Sequence, residues 1–168
     1  MSAPRSYFLG GLMQGGRRGA DYADQGYRTD LRDAIAEHRP GALIHDPFVL
    51  LRDWLGRDED VIRQEHAALA DMPIVHREKL GPAVTELIEA FHRLTRLAAD
   101  SDVCVAWLPD HEPSMGTAAE MFSACRAGGT VVAITAMRQN LAVLACATVI
   151  LPDLAAFTDW LSEGGDLR

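Results

Sequence analysis

Apolar and polar positions along this chain follow two rhythms, short unbroken runs and helical repeats. Ser6–Gly11, SYFLGG, is an apolar run broken by glycines and predicts a first strand. The Gly- and Arg-rich stretch LMQGGRRGADYADQG follows, and a connection that long inside a tight domain is usually functional or mobile. In Tyr27–His38, YRTDLRDAIAEH, the residues Leu31, Ala34 and Ile35 fall at helical spacing, and Pro40 ends the run. GALIHDP, at 41–47, predicts a second strand closing on Asp46-Pro47. Residues 48–55 and 58–70 predict short helices, and 71–82 an irregular segment. AVTELIEAFHRLTRLAA, at 83–99, predicts an amphipathic helix with Val84, Leu87, Ile88, Phe91, Leu94 and Leu97 on one face.

DVCVAWLP, at 102–109, is a continuous apolar run between turn residues, the pattern of a strand covered on both faces. Residues 117–126 predict a helix, GGTVVAITAM a fourth strand, and 139–146 another helix. ATVILP predicts a fifth strand and 154–161 a closing helix, leaving EGGDLR frayed at the end. The alternation predicts an α/β fold, a three-layer Rossmann-like open sheet of about five mainly parallel strands in one domain, 1–168.

Composition narrows the chemistry. No apolar run reaches the roughly 18 residues of a membrane helix, and MSAPRSYFLGG has no signal-peptide core, so a cytoplasmic protein without a membrane partner is expected. A net charge of −8 argues against a nucleic-acid partner, which would need a basic stripe. Lys79 is the single lysine, in a polar connection, which removes P-loop and Schiff-base chemistry. All other fixed positive charge is arginine, suited to bidentate contact with phosphate or carboxylate. Cys104, Cys125 and Cys146 sit in apolar stretches and read as buried free thiols. His66, His76 and His111 read as solvent-facing, with no ligand spacing between them, so neither a metal nor a cofactor is expected.

In sheets of this kind ligands bind at the carboxyl ends of the strands. Three loops should meet there, at residues 10–19, 45–48 and 109–120. The last carries Ser114, Gly116 and Thr117 at the start of a helix, where free N–H groups and hydroxyls suit a phosphate. The same residues also read as an N-cap followed by a first-turn acid, Glu120.

YFLGG, the approach ADSDVCVAWLP and the stretch WLPDHEPSMGTAAEMFSACRAGGTVVAITA together resemble the nucleoside 2-deoxyribosyltransferase family. Its signature is a buried strand, a loop, then Gly-Thr-x-x-Glu opening a helix of small residues. The match covers the first strand and about residues 100–137, roughly a third of the chain. The resemblance implies that Glu120 is the nucleophile, a carboxylate able to stabilise or trap an oxocarbenium-like sugar. Transferases of the family carry an aspartate where this chain has Ser114. The related nucleotide hydrolases, including cytidine monophosphate hydrolases, carry a serine there that contacts the 5′-phosphate.

The expected activity is therefore hydrolysis of the base–sugar bond of a nucleoside 5′-monophosphate, with Ser114, Gly116 and Thr117 as the phosphate cradle. The alternatives are a transferase exchanging bases and a non-catalytic nucleotide-binding module. Cytokinin-activating phosphoribohydrolases share the helix signature but have a loop richer in glycine than PSMGT. Family members often place an aspartate in the helix before the central strand. Here AFHRLTRLAADSD offers His92, Arg93 and Arg96, with no acid nearer than Glu89. Asp46 and His45 are the candidates left to protonate the departing base. Gly10 and Gly11 would approach the ligand, Arg17 and Arg18 would clamp a phosphate, and Tyr27 would line the base. Asn140 falls where some members reach into a neighbouring subunit's pocket, which implies a homodimer or larger assembly with 83–99 and the Asn140 segment as contact surfaces.

Overall fold

The computed structural model describes residues 4–15, 17 and 22–167. Among them, β1 (Ser6–Gly11), β2 (Leu43–His45), β3 (Val103–Leu108), β4 (Thr130–Thr135) and β5 (Val149–Leu151) form one sheet in the order β2-β1-β3-β4-β5. Every pairing is parallel, with Phe8 opposite His45 and Cys104, and Gly10 opposite Ala106. The helices are α1 (Tyr27–His38), α2 (Pro47–Trp54), α3 (Glu59–Ala68), α4 (Pro82–Asp100), α5 (Met115–Ala127), α6 (Leu141–Cys146) and α7 (Leu154–Ser162). No helix of the described residues is long and apolar enough to cross a membrane.

Strand residues point alternately to opposite faces, so a sheet buried on both sides needs apolar residues at every position. On one face Phe8, Cys104, Ala106, Val131 and Ala133 meet Leu94 and Ala98 of α4 and Met121 and Ala124 of α5. On the other, Tyr7, Leu9, Val105 and Ile134 meet Leu31 and Ile35 of α1 and Phe157 and Leu161 of α7. These two cores make the three layers.

Three details depart from the sequence reading. The edge strands β2 and β5 are three residues each, shorter than their apolar runs. α4 buries Ala83, Val84, Ala90, Leu94 and Ala98, so small residues join the predicted face, of which Leu87, Ile88 and Leu97 are half-buried and Phe91 lies at the surface. Small residues let α4 and α5 pack closely, and Phe91 is displaced to the rim of the site. The C-terminal segment is not frayed. Gly165–Leu167 forms a 3-10 turn, and Asp166 is fully buried, accepting from the Tyr7 hydroxyl at 2.5 Å and from Arg39 Nε at 2.9 Å. Burial alone would raise this carboxyl, but the bonds from Arg39 and Tyr7 hold it below its ordinary value.

Candidate active site

α5 begins at Met115, two residues before the predicted start, with Ser114 as its N-cap. Ser114 Oγ accepts from the Thr117 N–H at 3.3 Å and from Thr117 Oγ1 at 2.9 Å. Glu120 is therefore in the second turn rather than the first. The helix dipole acts mainly within the terminal turn, so it offers this carboxylate little help.

Glu120 faces the sheet and is only 3% exposed. A Cβ built on Gly10 would lie 3.0 Å from Glu120 Oε2 and 3.3 Å from the Val105 carbonyl. A glycine at the end of β1 is what lets the carboxylate lie over the strand. Gly11 is equally confined: a Cβ there would meet the Tyr27 hydroxyl at 2.5 Å. Gly11, Gln14, Phe91, Ser114, Thr117 and Glu120 line a cleft of about 500 Å³, which Gly116 also borders.

Burial pushes the Glu120 carboxyl up from 4.5 to about 8, against the opposing pull of the Arg28 guanidinium. Its charge reaches Cys104 as well, whose thiol is raised by burial first and by Glu120 next. A buried carboxylate of raised basicity, open to a cleft and beside a fixed cation, is equipped to attack or stabilise an electron-poor carbon.

Arg28 was not singled out by the sequence reading. It stands on the first turn of α1 and is 3% exposed. Its Nη1 donates to the Leu9 carbonyl at 2.5 Å and approaches Asp46 Oδ1 at 3.4 Å, and its Nε donates to Gln25 Oε1 at 2.8 Å. Its Nη2 is buried with no hydrogen-bond partner among the described residues. A signal existed: Arg28, Leu31 and Ile35 share helical spacing, which puts a cation on the buried face of α1.

The other predicted residues divide. Asp46, also buried, is the N-cap of α2, accepting from the Phe48 N–H at 3.0 Å and from Arg32 at 2.7 Å besides Arg28. It pairs with both arginines and is not among the residues lining the cleft. His45 ends β2, half-buried, and burial lowers its pKa, which disfavours a protonated imidazolium there. Tyr27 stacks on Trp107, ring centroids 5.6 Å apart, and burial, with added repulsion from Glu120 and Asp46, raises its hydroxyl. Arg17 pairs with Glu112 at 2.6 Å, tying the loop after β1 to the loop before α5. Arg18 lies outside the described residues. Asn140 caps α6, accepting from Ala142 and Val143 N–H at 3.0 and 3.2 Å, and does not line the cleft of its own chain. His66 is half-buried rather than solvent-facing, whereas His76 and His111 are exposed as expected.

No family model matches the chain, and no curated protein does. Among solved structures it aligns with a 2-deoxyribosyltransferase from the psychrotolerant bacterium Bacillus psychrosaccharolyticus, a biocatalyst for nucleoside synthesis. The TM-score is 0.55 at 11% identity, over 92% of this chain and 90% of that one. The chain shares the fold of that 2-deoxyribosyltransferase along nearly its whole length.

Proposed function

We propose that this protein cleaves the base–sugar bond of a nucleoside or nucleotide and passes the sugar to a second base. The observation that carries the reading is the buried Glu120 carboxylate held over Gly10 and open to the cleft. Glu120 attacks the anomeric carbon, the carbon–nitrogen bond breaks, and its electron pair leaves with the base, which takes a proton from solvent. The resulting glycosyl ester is attacked at the same carbon by a ring nitrogen of the incoming base, the carbon–oxygen bond breaks to restore the carboxylate, and the nitrogen's proton goes to solvent. The likeness in fold to a 2-deoxyribosyltransferase supports transfer over hydrolysis.

One observation favours a second reading, hydrolysis of a nucleoside 5′-monophosphate. Ser114 Oγ accepts twice from Thr117, so its own proton is free to donate into the cleft beside the N–H groups of the first turn of α5. The test of both is incubation of a nucleoside with a second base, and of the matching 5′-monophosphate in water. Exchanged nucleoside supports transfer, and free base from the monophosphate alone supports hydrolysis. If no nucleoside or nucleotide releases its base, both readings fall.

The proposed macromolecular partner is a second copy of the chain. Met115 and Leu141 are 91% and 80% exposed, and with Phe122 and Leu144 they give the neighbouring helices α5 and α6 an apolar outer surface. That surface, more than α4, is the proposed contact. Sedimentation of a fully active protein as a monomer at micromolar concentration would overturn it.

A further inference from the structure

A second chamber opens beside the Glu120 cleft. Phe48, Leu51 and Leu55 from α2 and its end, Ile62 from α3 and Leu87 from α4 wall a cavity of about 400 Å³. Met13 lines both spaces, so the two adjoin at one side chain. Phe48 follows Asp46 at the end of β2, which places the chamber at the same end of the sheet as Gly10 and Glu120. Tyr22 closes one side, its ring edge-on to Phe48 at 6.1 Å.

The chamber's charges are largely satisfied from within. Arg63 pairs with Glu59 at 2.6 Å and Arg57 with Glu86 at 3.1 Å, leaving Arg52, His66 and the Tyr22 hydroxyl as the remaining polar groups of the lining. The space is thus mainly apolar and aromatic rather than an anion trap. It also exceeds what a bare base fills: whole ligand pockets commonly span about 300–1,000 Å³, and here the cleft alone offers about 500 Å³ for the sugar and its 5′ end.

We infer that this chamber is an aglycone subsite for a base bearing a large apolar arm, aromatic or branched aliphatic. The inference rests on the glycosidic reading of Glu120. The sugar lies against Glu120 with its 5′ end toward Ser114, and the base points past Met13 so that its arm enters between α2 and α3. Burying such an arm should favour the substituted substrate by about tenfold or more.

The test uses paired probes in both base classes, adenosine against N6-benzyladenosine and cytidine against N4-benzylcytidine, with calorimetric binding of the corresponding free bases. The benzylated member of a pair should show the higher kcat/KM and the tighter base binding. Leu55→Trp, which fills the chamber, should bring both ratios toward one. Leu87→Phe gives the same readout should the tryptophan impair folding. Cleavage without any preference for the benzylated member, with equal binding of the free bases, would overturn the subsite and leave the glycosidic reading intact. Tight binding of a benzylated base that Leu55→Trp abolishes, with no cleavage of any nucleoside, would keep the chamber and remove the chemistry assigned to Glu120. Absence of both cleavage and base binding would overturn the two together.

Discussion

Replacing Glu120 by glutamine should stabilise the protein while it abolishes turnover. The folded carboxyl titrates at about 8 instead of 4.5, so between those values the native state keeps a proton that the unfolded chain has lost. A raised acid of this kind contributes fully at low pH and loses its contribution as pH climbs through the window. The slope is about 1.4 kcal/mol per pH unit. With the carboxyl raised from 4.5 to about 8, the accumulated loss reaches about 3 kcal/mol at pH 7 and about 4 kcal/mol at pH 8. Glutamine has the same shape and no titrating proton, so Glu120→Gln should match the wild type near pH 4 and exceed it progressively above pH 5. Urea denaturation of both proteins from pH 4 to pH 9 measures the difference directly, because every other titrating group cancels in the subtraction. Nucleotide binding should persist, while turnover drops by roughly a thousandfold or more, since the charge acts on the positive sugar of the transition state. A stability difference flat from pH 5 to pH 8 would refute the burial argument. Near-normal base release by Glu120→Gln would refute the role of the carboxylate.

In the wild type, kcat/KM should rise with pH and level off above about pH 8, since the attacking form is the ionised Glu120, and a profile flat from pH 6 to pH 9 would contradict this. Gly10→Ala places a methyl 3.0 Å from Glu120 Oε2 and should lower turnover about tenfold or more with little change in melting temperature, as kinetics and calorimetry will show. Arg28→Met removes one partner of a buried ion pair and should destabilise by about 3–5 kcal/mol in denaturant titration. It should also move the rise in kcat/KM to higher pH, because the cation that opposes burial at Glu120 is gone. Asp166→Asn should cost about 2–3 kcal/mol at pH 7 and progressively less as pH falls below 3.8, as denaturant titration at each pH will show. A carboxyl held below its ordinary 3.8 contributes above that value and loses its contribution as pH falls.

The sheet was legible because its strands are buried on both faces. VCVAWL and TVVAIT carry unbroken apolar runs, and the parallel order follows from the helices between them. Glu120 and Ser114 were legible because their spacing along α5 is local, and Gly10 because the first strand ends in glycines. What the sequence hid depends on distant partners. The face of α4 was legible at Val84 and Leu94, but close packing against α5 also selects Ala90 and Ala98 and leaves Phe91 outside. Asp166 looked like part of a polar tail because Tyr7 and Arg39 stand 159 and 127 residues away in sequence.

Arg28 is the most instructive omission, since its charge opposes the effect of burial on Glu120. A fully desolvated carboxylate is a strong base but stays protonated, and so idle, at neutral pH. A cation fixed nearby lowers that barrier, provided it cannot swing away to solvent. Arg28 is fixed by the Leu9 carbonyl, Gln25 and Asp46, which leaves Nη2 unmatched and its charge to be felt by Glu120. Under the proposed reading Asp46 has a role that does not require it to donate a proton: paired with Arg28 and Arg32, it fixes the guanidinium whose charge favours the ionised form of Glu120. The loop after β2 thus anchors Arg28 through Asp46, and the charge fixed there is felt across the sheet end by Glu120 on α5.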